Sequence, residues 1–444
     1  MQKMRLIVAV LVFSMVVSVA GVFAQDENLV EVAAGNEDFS TLVSLVEAAG
    51  LVDTLSEGEF TVFAPTNAAF EAPPADVIEY LGNNPDVLTS VLTYHVVPGT
   101  VMSMDVATGE VETVQGGTID VVADDMGVQV DGVNVVATDV EASNGVIHVI
   151  EGVILPDITL PEVDPLDVSG DITTAGSSTV FPLAERMADV FVDAGYPDEL
   201  TIDSIGSGGG FERFCVAGET DISNASRAIR DSERESCAEI GRDPIEFRVG
   251  TDALAVTVSA ENDFVEDVTL EELAQIFGPA ETWSDVRAEW PAEPIERFIP
   301  GTDSGTFDYF TEEIFDEDTE PILSASNLQQ SEDDNVLVNG IIGSEFAVGF
   351  FGFAYYQENA DTLKVLNIDG VEPNGVTAED GSYPLARPLF MYSDATILQE
   401  NPQVAAFLNF VLTNVNDEIT EVGYFPASDR SLNLARVKLL AGLE

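Results

Sequence analysis

Three short runs rich in serine, threonine and glycine could do chemistry: Gly176-Ser177-Ser178-Thr179-Val180-Phe181-Pro182, Gly206-Ser207-Gly208-Gly209-Gly210 and Gly301-Thr302-Asp303-Ser304-Gly305-Thr306. Each offers backbone N–H groups and hydroxyls with little bulk to block an approaching ligand. After the first, Leu183, Met187, Val190, Phe191 and Ala194 keep helical spacing until Gly195 stops it. The second leads into the short segment Phe211 to Ala217, and after the third Phe307, Phe310 and Ile314 fall at helical spacing. A helix N-terminus leaves four amide N–H groups unpaired and carries about half a positive charge, which favours a bound anion. One such run alone reads as an ordinary N-cap with turn glycines. Three in one chain suggest a shared tetrahedral oxyanion, held by amides and hydroxyls rather than by a lysine clamp.

Other chemistries fail on residue type or spacing. His95 and His148 are the only histidines, and both sit in apolar runs, so each reads as a core ring satisfied by hydrogen bonds. No histidine follows His148, so Ser304 has no Ser–His pair within its own region. Gly206-Ser207-Gly208 continues to Phe211 where a dinucleotide fingerprint needs glycine, and no run is followed by Gly-Lys-Ser/Thr. There is no zinc-ligand set, and Ser331-Glu332-Asp333-Asp334-Asn335 lacks calcium-loop spacing, so it reads as a solvated acidic turn. The expectation is therefore no catalytic residue, no metal and no cofactor.

The chain of 444 residues is long enough for two or three compact units, and 45% hydrophobic residues supply their cores. The formal net charge of −64 excludes nucleic acid and anionic membrane surfaces as partners, since both need basic patches. It does not exclude an anion site, because exposed carboxylates are screened beyond roughly 8 Å while donors in a dehydrated cleft act at contact distance. Met1 to Ala24 carries Lys3 and Arg5, then an apolar run from Leu6 to Val19 and the small-residue end Val22-Phe23-Ala24. That pattern predicts a secretory signal cut before Gln25, with an uncleaved anchor as the alternative. The product would be exported, to a periplasm or to the cell surface and exterior. Cys215 and Cys237 are the only cysteines. In an oxidising compartment they would pair and contribute roughly 3 kcal/mol; two free buried thiols are the alternative.

The elements that must position these residues fall into two patterns. In the first, Leu42, Val43, Leu45, Val46 and Ala49 mark a helix closed by Gly50, then Phe63-Ala64-Pro65-Thr66-Asn67-Ala68-Ala69-Phe70, Tyr94-His95 and a closing His148-Val149-Ile150 follow, with short β-like runs such as Thr118 to Val122 between. Those motifs resemble a fasciclin (FAS1) domain across residues 25–156. The resemblance implies an α+β wedge of helices beside a β-sandwich, and an adhesive role toward a matrix or cell-surface partner. Residues 157–167 are acidic and proline-punctuated, which predicts an extended, exposed linker.

From Val168 onward strand-like and helical runs alternate, indicating α/β architecture with parallel strands. Thr269 with Glu272 forms a capping box ahead of a helix ended by Gly278. The three Ser/Thr/Gly runs, Asp221 to Arg227, Trp283-Ser284-Asp285 and Phe351-Gly352-Phe353-Ala354-Tyr355 resemble phosphate-binding proteins of the PstS type, the substrate-binding subunits of ABC phosphate importers. That resemblance spans residues 168–444 and implies a two-lobed α/β periplasmic-binding-protein-like (type II) domain. Lobe one would comprise about 168–253 and 363–444, lobe two about 254–362. Carried over position by position, the phosphate donors would be Ser178, Thr179, Val180, Ser207, Ser304, Gly305 and Thr306. Two departures stand out: Arg227 where many relatives have Asp, and Pro300 where they have Arg. Arg227 is accordingly expected to supply the guanidinium, and Asp303 to accept the phosphate proton that sulfate lacks, with Asp221 in reserve. The function then implied is non-enzymatic capture of inorganic phosphate for the membrane subunits of an importer. The alternative is an adhesion or sensing protein that binds another oxyanion, sulfate or molybdate, without transport.

Overall fold

The computed structural model describes residues 27–70, 75–124, 127–302 and 304–444. The expected secretory segment Met1 to Ala24 and the candidate acceptor Asp303 lie outside the described residues. The chain divides into two units, Met1–Ile154 and Leu155–Glu444.

In the first unit, helices α1 (Leu29–Ala34), α2 (Ser40–Ala48), α3 (Val52–Glu57), α4 (Ala75–Asn83) and α5 (Pro85–Tyr94) accompany seven strands. These are β1 (Phe60–Pro65), β2 (Val96–Pro98), β3 (Gly109–Glu112), β4 (Thr118–Asp124), β5 (Gly127–Val130), β6 (Val133–Ala142) and β7 (Gly145–Ile150), in the order β2-β1-β7-β6-β5-β4-β3. The path turns at β6, whose register shifts twice between Val135 and Val140, so that its start pairs with β5 and its remainder with β7. Both histidines are satisfied core rings, as their apolar surroundings predict. His95 Nδ1–H donates to the Val91 carbonyl at 2.8 Å, and its Nε2 accepts from the Ile154 N–H at 3.2 Å. His148 Nδ1 accepts from the Asp139 N–H at 3.3 Å, and its Nε2–H donates to the Val101 carbonyl at 2.9 Å.

The segment 157–167 is not an exposed linker. Ile158 and Leu160 are buried, and Leu160 belongs to the core of the second unit. The Ile158 N–H donates to Asn433 Oδ1 at 3.0 Å, Asn409 Nδ2 donates to the Pro161 carbonyl at 3.1 Å, and Arg436 pairs with Asp157 at 2.9 Å. Proline removes a backbone donor without preventing extended packing. The alternating apolar side chains Ile158 and Leu160 therefore make this stretch a strap on the unit that follows.

The second unit is built on a nine-stranded sheet ordered β14-β13-β15-β11-β18-β10-β8-β9, with β16 pairing β11 off that path. Its strands are β8 (Ile172–Gly176), β9 (Leu200–Ser204), β10 (Ile222–Ala225), β11 (Pro244–Ser259), β13 (Glu296–Pro300), β14 (Leu328–Ser331), β15 (Ala347–Gly352), β16 (Leu363–Val365) and β18 (Ala386–Asp394), while β12 (Asp267–Val268) and β17 (Asn367–Ile368) pair separately. β8 is parallel to β9 and β10, and β13 is parallel to β14 and β15. Between these two parallel sets run β11 and β18, antiparallel to each other. Phe247 and Val249 of β11 lie in one core, whereas Ala253 to Val256 lie in another. The two lobes that the resemblance implied are thus present, and two crossing strands join them.

Lobe one begins with α6 (Phe181–Asp193), α7 (Gly206–Phe211) and α8 (Asp231–Glu239). Lobe two carries α9 (Leu270–Ile276), α10 (Trp283–Val286), α11 (Gly305–Phe315), α12 (Glu320–Leu323), α13 (Asp334–Ile342), α14 (Phe353–Glu358) and α15 (Gly375–Glu379). The chain returns to lobe one for α16 (Ala395–Glu400), α17 (Pro402–Glu418) and α18 (Asp429–Gly442). The return crossing is β18, later than the expected position near 363. Leu363, Leu366, Ile368, Tyr383 and Leu385 all pack into the lobe-two core. β16 and β17 are too short to give a readable period, so sequence pattern placed the boundary too early.

Candidate anion-binding cleft

β8, β9 and β10 end side by side at Gly176, Ser204 and Ala225. From those carboxyl ends start α6, α7 and the turn Ser226-Arg227, the edge at which open α/β sheets receive ligands. In lobe two, β13 ends at Pro300 and reaches α11 through the third Ser/Thr/Gly run.

The first run is held from below. The Ser177 N–H donates to the Asn224 carbonyl at 2.9 Å, Ser177 Oγ accepts from the Thr179 N–H at 3.2 Å and from the Val180 N–H at 3.4 Å, and the Tyr424 hydroxyl donates to the Thr179 carbonyl at 2.8 Å. The hydroxyls of Ser178 and Thr179 carry no hydrogen bond among the described residues. The glycine run expected as a loop is itself helical, forming α7. A Cβ at Gly210 would lie 2.6 Å from the Gly176 Cα, so only glycine lets α7 approach β8 this closely. At the start of α7, Ser207 Oγ lies 3.3 Å from Ser226 Oγ and accepts the Ser226 N–H at 3.2 Å. In the third run, Ser304 Oγ caps α11 by accepting from the Thr306 N–H at 3.2 Å. The Gly305 N–H and the Thr306 hydroxyl are left without partners among the described residues. A Cβ at Gly305 would lie 3.3 Å from Ser178 Oγ and 3.5 Å from the Thr179 nitrogen, so the first and third runs meet across the two lobes.

The expected guanidinium is engaged elsewhere. Arg227 is bidentate to Glu233, at 2.7 Å and 2.8 Å, donates to its neighbour's carbonyl, and lies over the Phe211 ring. These side-chain hydrogen bonds to Glu233, opposed by burial, raise its pKa above the ordinary arginine value. Cys215 and Cys237 form the disulfide, which ties the segment Glu212–Ala217 to α8, the helix that carries Glu233. Asp221 precedes β10 and accepts the Thr173 N–H at 2.9 Å near the start of β8. It therefore sits at the amino end of the parallel strands, away from the cleft, and is withdrawn as reserve acceptor.

Sequence reasoning missed a buried pair. Asp252 of β11 and Arg387 of β18 face each other in register, only 2% and 8% exposed. Arg387 Nε donates to Asp252 Oδ2 at 3.0 Å and its Nη2 to the Gly305 carbonyl at 3.1 Å, while the guanidinium stacks 3.9 Å from the centre of the Tyr309 ring. Burial, reinforced by neighbouring Glu313, pushes the Tyr309 hydroxyl pKa up, so the ring stays neutral beneath the cation. Arg387 Nη1 and Asp252 Oδ1 carry no hydrogen bond among the described residues. The available signal was an arginine inside the apolar stretch Leu385-Ala386-Arg387-Pro388-Leu389-Phe390, which demands a buried partner. Among the described residues no group of three or more His, Cys, Asp or Glu is placed to hold a metal ion, and no helix is long and apolar enough to cross a membrane.

Two parallel-stranded lobes, two crossing strands and donors gathered at the strand ends define the two-lobed solute-binding class. Residues 37–156 match the Fasciclin domain and residues 164–415 match the PBP superfamily domain, and the chain belongs to that superfamily, in its PstS-type branch, with a fasciclin domain ahead of it. It is 38% identical over 290 residues to Protein SphX of Synechocystis sp., spanning 63% of this chain and 84% of that one. It is 35% identical over 261 residues to the Phosphate-binding protein PstS of Staphylococcus saprophyticus, spanning 57% of this chain and 80% of that one. A crystal structure described as a possible phosphate binding protein from Planctomyces limnophilus superposes with a TM-score of 0.58 at 38% identity, covering 62% of this chain and 100% of the other.

Proposed function

We propose that the second unit captures inorganic phosphate and delivers it to the membrane subunits of an ABC importer, outside the cytoplasm and without catalysis. The observation that carries this reading is the approach of Ser178 Oγ and the Thr179 backbone to Gly305, at the start of α11, beside the buried Arg387–Asp252 pair, with the Ser178, Thr179 and Thr306 hydroxyls and the Gly305 N–H unpartnered among the described residues. These groups supply what a protonated oxyanion needs: amide and hydroxyl donors, one cation, and one carboxylate oxygen that is not already bonded. In this reading Arg387 replaces Arg227 as the guanidinium, and Asp252 Oδ1 joins Asp303 as an acceptor for the phosphate proton. Sulfate at neutral pH has no proton to offer and would meet a bare carboxylate, which disfavours it. Val180 and Ser207 act as supports of the donor loops. The curated relatives named as phosphate-binding proteins support the same ligand. The fasciclin domain would serve adhesion, tethering the receptor to a matrix or cell-surface partner.

Calorimetric titration of the anion-stripped full chain with phosphate and then sulfate tests the ligand. One-site phosphate binding with sulfate excluded is expected. Sulfate binding in preference to phosphate would move the function to another oxyanion.

A further inference from the structure

Glu379 ends α15, whose Ala378 packs in the lobe-two core. Its carboxylate is served from the other lobe and from the crossing strand. Oε2 accepts from Arg248 Nη2 at 2.8 Å and from Thr251 Oγ1 at 2.5 Å. Oε1 accepts from the Ser428 N–H at 3.1 Å, the Ser428 hydroxyl at 3.0 Å and the Ser431 hydroxyl at 2.9 Å. Arg248 precedes Val249, a lobe-one core residue on β11, and Ser428 and Ser431 open α18, whose Leu432, Ala435 and Leu439 fill the same lobe-one core. Close by, Phe425 exchanges backbone hydrogen bonds with Thr251 at 3.0 Å and 2.8 Å and packs its ring 4.9 Å from that of Phe353 in lobe two. The arrangement is a second seam between the lobes, and none of the donors to Glu379 belongs to the proposed anion set.

We propose that Glu379 is a positioning residue that holds the two lobes in their closed arrangement before any ligand arrives. Opening about β11 and β18 would carry α15 with lobe two and draw its charge away from donors fixed in lobe one. A group that stabilises only the closed state raises its population, and the apparent affinity of any ligand bound by that state rises by the same factor. The affinity part of this inference rests on the phosphate reading; the part that concerns lobe separation does not.

The test is Glu379→Gln in the full chain, which keeps the side-chain shape and removes the charge that Arg248 faces. Spin labels on Val192→Cys in lobe one and Val336→Cys in lobe two, both at exposed positions, report lobe separation with the native disulfide intact. Without anion, the variant is expected to show a longer and broader distance distribution than the unsubstituted protein. Phosphate should restore the short distance, with phosphate and arsenate affinities falling by the same factor, about ten-fold. Ser431→Ala, which removes one neutral donor, should shift the distances in the same direction by less. Unchanged distances in the anion-free Glu379→Gln variant overturn the inference, as do unchanged distances in Ser431→Ala should the first variant fail to fold. If the unsubstituted protein binds no phosphate, the distance measurement alone decides.

Discussion

Arg387 serves Asp252 and the Gly305 carbonyl at once through different nitrogens, which only a planar guanidinium can do. Arg387→Lys should therefore keep the charge yet lower phosphate affinity by about 10- to 100-fold, roughly 1.4–3 kcal/mol, with the folded state intact by circular dichroism. In the fasciclin domain, burial pulls the His95 pKa down to about 4, against a smaller opposing pull from the Val91 carbonyl. A neutral ring is thus favoured in the folded state, so its stabilising effect is complete above pH 6.5 and is lost as pH falls toward 4. Calorimetry of the full chain should show the first unit losing at most about 3 kcal/mol across that window. A His95→Gln variant should lack that slope, and an unchanged slope would mean another group titrates there. The Ser/Thr/Gly runs were legible in the sequence because helix starts are signalled locally. Arg387 and Asp252 were not, because 135 positions separate them and only the register of β11 on β18 brings them together. The bond from Arg227 to Glu233 was not legible either: the partner is local, yet the spacing on the turn before α8 carries no sign of it.

The strap 157–167 shows how an element can be hidden by its composition. Its prolines and acidic residues read as linker, yet Ile158 and Leu160 face a core and the backbone bonds to Asn433 and Asn409 of the last two helices. Leu160→Ala should lower the stability of the second unit by about 2–3 kcal/mol, read as a shift of its own calorimetric transition. A loose linker would give a change within about 0.5 kcal/mol. Elements with a clear local signal were legible: α6 and the Thr269–Glu272 capping box of α9 both lie where spacing put them. The short strands β16 and β17 were not, since three and two residues cannot show an alternation.

At the scale of the molecule, several of the few cations are spent on partners within the protein. Arg248, Arg287 and Arg387 each pair with a carboxylate, and Arg242 and Arg297 are spent on backbone carbonyls. With 80 acidic against 16 basic residues, the surface carries a large excess of negative charge. An incoming anion is then repelled at long range and bound at short range. Phosphate association should accelerate as sodium chloride rises from about 10 to 150 mM, where the screening length falls from about 30 to 8 Å, the reverse of electrostatic steering. Stopped-flow rates that fall with salt would show that a local positive field dominates the approach. The crossing strands carry one more consequence, for synthesis. Lobe one takes its last strand and helices from residues 386–442, so it cannot close until that stretch has been translated. The fasciclin domain can fold once Ile154 has emerged from the ribosome, whereas lobe one of the second unit must wait for residues 386–442, so the two units complete their cores at different stages of synthesis.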